Sequence, residues 1–259
     1  MAREFNHGLA PVEVDGKWGY IDASGNYVIG PLYDSAESFS EGYARVEVGN
    51  GCGYIDTQGN LITETIYDYW AQPFCEGLAG VGFPTDDFEM PRNMGYIDTT
   101  GTIVIYPEYN SVSPFYNGIA GVSTGPWHDR KCGFINSQGE VIIPLIYEDA
   151  GWTFSEGTAP VCTHGRWGFI DIEGNFVIQP HYEDAWNFSD GNASVCIDGK
   201  WGVIDSEGNL VVAPLYDYAL HFSHGLAAAK KDGKIGFIDI NGDTVIPFRY
   251  DYVEMNDWN

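Results

Sequence analysis

The chain reads as short runs of alternating apolar and polar residues, broken at regular intervals by Gly, Asp and Asn. Leu9–Val14 (LAPVEV) and Asn192–Ile197 (NASVCI) alternate with a period of two, the pattern of a half-buried β-strand. Asp-Gly follows at 15–16, 198–199 and 232–233. Both central residues of such a turn need positive φ, so the pair predicts a tight hairpin. The return strand is Lys17–Asp22 (KWGYID). A second turn then recurs, Asp22-Ala-Ser-Gly25-Asn26 in one place and Asp205-Ser-Glu-Gly208-Asn209 in another. A short β-branched strand comes next (Tyr27–Ile29, Leu210–Val212), expected to stop at Pro31, Pro144, Pro180, Pro214 or Pro247. The last stretch, Tyr-Asp-x-Ala-x-x-Phe, predicts a fourth short strand leading into the next unit.

These elements repeat. Phe-x-x-Gly-x-Ala begins at Phe5, Phe39, Phe74, Phe115, Phe154, Phe188 and Phe222, with spacings of 34, 35, 41, 39, 34 and 34. The GYID segment and its variants run from Gly19–Asp22 to Gly236–Asp239, and a Tyr followed by an acid or amide runs from Tyr33–Asp34 to Tyr250–Asp251. Seven of each, always in the same order, define an all-β protein of seven units of about 34 residues.

Lys17-Trp18-Gly19-Tyr20-Ile21-Asp22, Lys200-Trp201-Gly202-Val203-Ile204-Asp205 and Arg166-Trp167-Gly168-Phe169-Ile170-Asp171 resemble the signature of the bacterial WG-repeat (KWG-repeat) family. The resemblance spans practically the whole chain and implies a general interaction module. Four copies depart from it, with Cys52, Met94, Cys132 and Ile235 in the Trp position.

Stacked repeats form either an open β-solenoid or a closed propeller. The chain starts inside a unit, at Phe5-Asn-His-Gly8-Leu-Ala10, and ends inside another, at Tyr250-Asp-Tyr-Val253. The two fragments sum to one unit, and no polar capping unit is visible. The expectation is therefore one domain over residues 1–259, closed as a seven-bladed propeller.

Composition fits many short strands and tight turns: 15% aromatic residues and 33 glycines. Against 12 Lys and Arg stand 37 Asp and Glu, a formal net charge of −25, which repels nucleic acid and anionic membranes. Cys52, Cys75, Cys132, Cys162 and Cys196 show no CxxC spacing and imply neither a disulfide framework nor a zinc site. With no apolar leader at the N-terminus, the chain is expected to be a cytoplasmic monomer or a piece of a larger protein.

Candidate chemistry is sparse. The Asp of YID could be drawn as a ring of ligands, but an acid two residues before a turn more simply accepts backbone N–H groups. The acids after the Tyr anchor read as solvated or capping groups. His7 and His224 occupy the position of Glu41, Glu76 and Glu156, without partners at metal-ligand spacing. No nucleophile elbow, phosphate loop, zinc helix or dinucleotide fingerprint occurs. No cofactor, metal or catalytic residue is expected.

Departures from the repeat are more informative. From the Ala anchor to the GYID glycine five copies use nine residues, whereas the third uses sixteen (Ala79 to Gly95) and the fourth thirteen (Ala120 to Gly133). Both insertions fall on the same turn. They supply Phe83, Phe88, Met90 and Arg92 in one loop and Trp127, His128 and Arg130 in the other, residue types that anchor interfaces. Trp152 and Trp186, in equivalent stretches, form a second candidate. The leading expectation is a non-enzymatic scaffold that binds a protein or peptide through the loop-bearing face. A carbohydrate-binding module using exposed Trp and Tyr is the alternative, and an enzyme with scattered acids the third reading.

Overall fold

Leu9–Val14 (β1) and Lys17–Asp22 (β2) pair antiparallel in continuous register from Leu9↔Asp22 to Val14↔Lys17. Asp15 and Gly16 turn between them with φ of 51° and 77°, the backbone of a type I′ hairpin. The next strand, Tyr27–Tyr33 (β3), is longer than the sequence pattern indicates and runs through Pro31 instead of stopping there. Its pairing with β2 is Ile21↔Tyr27, Tyr20↔Ile29 and Trp18↔Tyr33, so β3 carries extra residues opposite Gly19. The proline sits in this bulge, where no ladder N–H is required. The same shift recurs opposite Gly95, Gly168, Gly202 and Gly236.

The bulge also explains the glycine that follows the Trp position. A Cβ on Gly19 would lie 2.6 Å from both the carbonyl oxygen of Ile29 and the carbonyl carbon of Gly30, and backbone cannot yield there. Gly168 and Gly202 meet the same obstruction at 2.6 Å.

The structure, a computed structural model, describes residues 3–63, 70–84, 92–218 and 220–252, the side chains of Pro84, Arg92 and Trp127 excepted. Within these residues lie seven antiparallel sheets of three or four strands. The expected fourth strand exists, but it opens the next sheet: Ser35–Ala36 (β4) pairs with Tyr43–Val48 (β5), which pairs with Gly51–Asp56 (β6). Asp149–Ala150 and Asp184–Ala185 open their sheets in the same way. In the first sheet, the Arg3 N–H donates to the Pro11 carbonyl, the counterpart of the bond from Glu37 to Arg45.

Two compact units divide the chain, Met1–Ile146 and Tyr147–Asn259. In each, successive sheets interlock through aromatic rings. Tyr20 meets Phe39, Tyr54 meets Phe74 and Tyr96 meets Phe115 in the first unit, each at 4.8 Å between ring centroids. Phe169 meets Phe188 at 4.8 Å in the second. The Tyr20 hydroxyl donates to the Glu37 carbonyl at 2.8 Å, and the Tyr96 hydroxyl donates to the Ser113 carbonyl at 2.7 Å. Burial holds both phenols un-ionised far above neutral pH. All five cysteines are free thiols. Among the described residues no helix is long and apolar enough to cross a membrane.

Two substitutions test the bulge. Gly19→Ala should cost about 1–3 kcal/mol in urea unfolding, through overpacking. Gly30→Ala, where a Cβ meets nothing within 4 Å, should stay within about 0.5 kcal/mol. Equal effects at the two positions would contradict the geometry.

Candidate functional site

The recurring acids have structural tasks. Asp22 Oδ1 accepts the N–H groups of Ser24 and Asn26 at 2.8 and 3.0 Å. Asp56, Asp98, Asp171, Asp205 and Asp239 cap their turns identically, as does Asn136 in the fourth copy. The N–H of Asn26 is the main influence holding the Asp22 carboxyl below the usual carboxylate range, and that of Asn175 does the same for Asp171. The acid after the Tyr anchor reaches the hairpin of the following sheet. Asp34 accepts from Lys17 Nζ at 2.6 Å and from the Gly49 N–H at 2.9 Å, and Glu148 accepts the N–H groups of His164 and Gly165.

The position shared by His7, Glu41, Glu76, Glu156 and His224 is the first residue of a tight turn with φ near 50°. Its glutamates clasp the corresponding turn of the next sheet. Glu41 accepts the N–H groups of Glu76 and Gly77, both at 2.8 Å. Glu76 accepts those of Asn117 and Gly118 at 2.7 and 2.8 Å. Among the described residues no three His, Cys, Asp or Glu side chains converge as a metal site requires.

The two long turns lie at one end of their hairpins. The third sheet extends its ladder by one pair, Pro84↔Arg92, beyond Phe83↔Asn93. Phe83 is half-buried against a cluster that includes Tyr54, Phe74 and Val81. Phe88 and Met90 lie outside the described residues, and Arg92 is placed by its backbone alone. In the fourth sheet, Trp127–Asp129 form one 3-10 turn in which His128 is exposed, and Arg130 follows half-exposed. The structure thus places Phe83, Arg92, His128 and Arg130 on or beside their hairpins.

The second unit holds a better-formed concavity. A groove of about 530 Å³ opens between the sheets headed by Asp149–Ala150 and Asp184–Ala185. Trp152, Trp167 and Trp186 wall it, with Asn187 and His221 beside them. Trp152 and Trp186 are 36% and 47% exposed, and Trp186 rests edge-on against Trp201 at 6.4 Å. Its polar rim includes Thr153, Ser155 and Ser189. Asn187 donates to Thr153 Oγ1 at 3.4 Å, while its buried Oδ1 finds no partner.

Local sequence opens this groove. Phe169 stands where Tyr20, Tyr54 and Tyr96 stand in the first unit, and it has no hydroxyl to donate to the Trp186 carbonyl. Gly151, whose N–H donates to the Pro160 carbonyl, occupies the place of Glu37 and adds no side chain. At the strand heads, burial holds the Asp184 carboxyl above the usual range despite the Ala185 N–H, and Asp149 reinforces it. Burial likewise pushes up the thiols of Cys162 and Cys196, which therefore stay protonated. Trp152 and Trp186 are the sequence's second candidate, and the structure unites them. Gly151, Trp167 and Asn187 were missed. The available signal was the Tyr147-to-Phe154 interval, one residue longer than Tyr182-to-Phe188.

Repeated antiparallel sheets with capped turns and one tryptophan-walled groove define an all-β repeat protein. The chain belongs to the WG containing repeat family, whose model matches residues 1–18, 18–52, 53–82, 94–125, 133–167, 167–201, 201–234 and 235–257. No curated protein matches in sequence. Among solved structures, a eukaryotic initiation factor is similar over 94% of this chain and 76% of its own, at 13% identity and a TM-score of 0.61. Dipeptidyl peptidase 4 of Porphyromonas gingivalis is similar over 95% of this chain and 49% of its own, at 7% identity and a TM-score of 0.61. These propeller-like likenesses concern the fold alone.

The capping carboxylates fix an acid response. Groups whose folded pKa is lowered contribute fully above their unfolded value, near pH ~4, and lose that contribution as pH falls through the folded values. Urea midpoints should therefore drop on acidification below about pH 4. Replacing Asp22, Asp171 and Asp205 together by Asn, the residue that caps the fourth copy, should flatten this limb. An unchanged acid limb in the triple variant would show that the turn caps do not set it.

Proposed function

We propose that this chain is a non-enzymatic scaffold that binds a protein or peptide partner. The tryptophan groove of residues 147–259 carries the reading. Two indole rings stay substantially exposed beside a buried, unpartnered amide oxygen, although neighbouring interfaces in the same fold bury their aromatic rings. Trp is among the residues that dominate binding energy, and aromatic walls with a few polar groups are what ligand sites use. A second surface is the end of the third and fourth hairpins bearing Phe83, Arg92, His128 and Arg130. The polar rim of Thr153, Ser155 and Ser189 favours one further reading, a carbohydrate stacked on Trp152 and Trp186.

Three preparations separate these readings: the natural chain, Trp152→Ala with Trp186→Ala, and a chain with residues 85–91 and 125–130 shortened. Partners would be identified by mass spectrometry after capture, with a glycan array run in parallel. The tryptophan pair should abolish capture of the specific partner, while the shortened loops retain it. Capture lost only with the loops would move the site to the loop-bearing end. Array binding that needs the tryptophans, without protein capture, would establish the carbohydrate reading.

We further infer that the seven sheets close into one ring. The likeness of propeller-like solved structures over 94% of this chain supports this. A closed ring of this length should scatter X-rays with a radius of gyration of about 18 Å. A clearly larger value with an elongated profile would indicate an open stack.

A further inference from the structure

The tryptophan groove is lined without a carboxylate, an ammonium or a guanidinium. Among the described residues around it there is no Asp, Glu, Lys or Arg, although these make up 19% of the chain. The corresponding place in the second sheet is ionic. There the buried Arg45 guanidinium bonds Glu37 Oε1 at 2.8 Å and Glu47 Oε1 at 2.6 Å. Arg45 pairs with Tyr54 as Pro160 pairs with Phe169, and Glu47 pairs with Ser35 as Cys162 pairs with Asp149. The fifth sheet therefore exchanges Arg45, Glu37 and Glu47 for Pro160, Gly151 and Cys162. An ion carried into such a lining would lose its water without gaining a counter-charge. The groove suits an uncharged ligand.

Its polar groups are small and partly committed. Asn187 spends its amide within the wall: Nδ2 donates to Thr153 Oγ1 at 3.4 Å, and Oδ1 is buried against Gly151, where a Cβ would lie 2.8 Å from it. That bond joins the residues that follow Trp152 and Trp186. Ser155 Oγ donates to the Phe188 carbonyl at 2.6 Å, so the two tryptophan-bearing segments are braced before any ligand arrives. Thr153 and Ser189 bring hydroxyls to the same lining as the aromatic faces. A sugar would find no carboxylate and no open amide to bracket its neighbouring hydroxyls. An ordinary peptide laid along the indoles would bury one N–H per residue against this lining. Proline brings no N–H to be matched, and its carbonyl is an acceptor that a hydroxyl can serve.

We propose that the groove docks an uncharged, proline-rich segment of a partner protein in the extended polyproline conformation. Its pyrrolidine rings lie on the indoles of Trp152 and Trp186, and its carbonyls accept from the hydroxyls of Thr153 and Ser189. Aromatic-lined grooves are a recurring way to hold such segments. A stiff ligand on a braced groove loses little freedom on docking. This inference rests on the groove being the binding site. It names the partner's chemistry, and a carbohydrate is the outcome that would oppose it.

The test uses the full chain labelled with nitrogen-15, titrated with an acetylated, amidated proline octapeptide and followed at the tryptophan indole N–H signals. The proline peptide should shift the Trp152 and Trp186 signals saturably, with an affinity that salt leaves unchanged because the ligand is neutral. Trp186→Ala should weaken binding roughly thirtyfold, and Trp186→Phe, which keeps a ring, should bind with intermediate affinity. Ser189→Ala should weaken it roughly two- to tenfold. Equal affinity for a Gly-Ser octapeptide with the same blocked ends would overturn the proline proposal and leave the groove a binding site. Shifts caused by maltohexaose and not by the proline peptide would do the same in favour of a carbohydrate. No shift with any of the three ligands would overturn both the proposal and the groove reading.

Discussion

The structure depends on one repeated contact, the aromatic ring of the GYID strand set against the phenylalanine that leads into the next sheet. A sheet of three or four short strands cannot bury both of its faces by itself. Tyr20 on Phe39, Tyr54 on Phe74 and Phe169 on Phe188 solve this identically, each with 4.8 Å between rings. Such a pair adds about 0.5–1.5 kcal/mol beyond the area it buries. Where the ring is tyrosine, its hydroxyl also takes the carbonyl beyond the short strand, so ring and backbone are fixed together. The rest of the unit serves this contact. The bulge opposite Gly19 lets the outer strand reach Tyr33, and the glutamate clasps at residues 41 and 76 hold successive turns in step.

A contact so constrained leaves function to its exceptions. At Phe169 the ring remains but the hydroxyl is gone, so the packing survives while the carbonyl of Trp186 loses its donor. The next interface loses the ring as well, at Val203, and there Ser194 bonds both the N–H and the carbonyl of Leu220. Of these two exceptions, Val203 is repaired by a serine and Phe169 is left open beside three tryptophans; Phe134 and Phe237 also lack the hydroxyl. Unrepaired polar atoms next to exposed aromatic surface are costly to a structure that has no use for them.

Much of the fold was legible because its determinants are local. Asp15-Gly16 specifies its turn within four residues, whereas LAPVEV buries Leu9, Ala10 and Pro11 in succession and exposes Val14, so its alternation does not mark one buried face. Pro31 misled because proline is read as a strand terminator, whereas a bulge gives it a position without a ladder bond. The short strand was visible at Ser35–Ala36, but its partner lies after the next turn, so its sheet could not be assigned from one unit. The clasp from Glu41 to Gly77 joins residues 36 positions apart and leaves no trace in either turn taken alone. Trp152 and Trp186 stood out as tryptophans in equivalent stretches. Gly151 did not, because its role is the absence of a side chain beneath a neighbour that the sequence does not reveal.

Most of the acidic excess is engaged at the surface: the YID acids hold turn amides, and Asp34 and Asp217 hold lysines. Asp184 accepts the Ala185 N–H and is drawn partly out of water close to Asp149. The second sheet instead holds its own buried cation, Arg45, between Glu37 and Glu47.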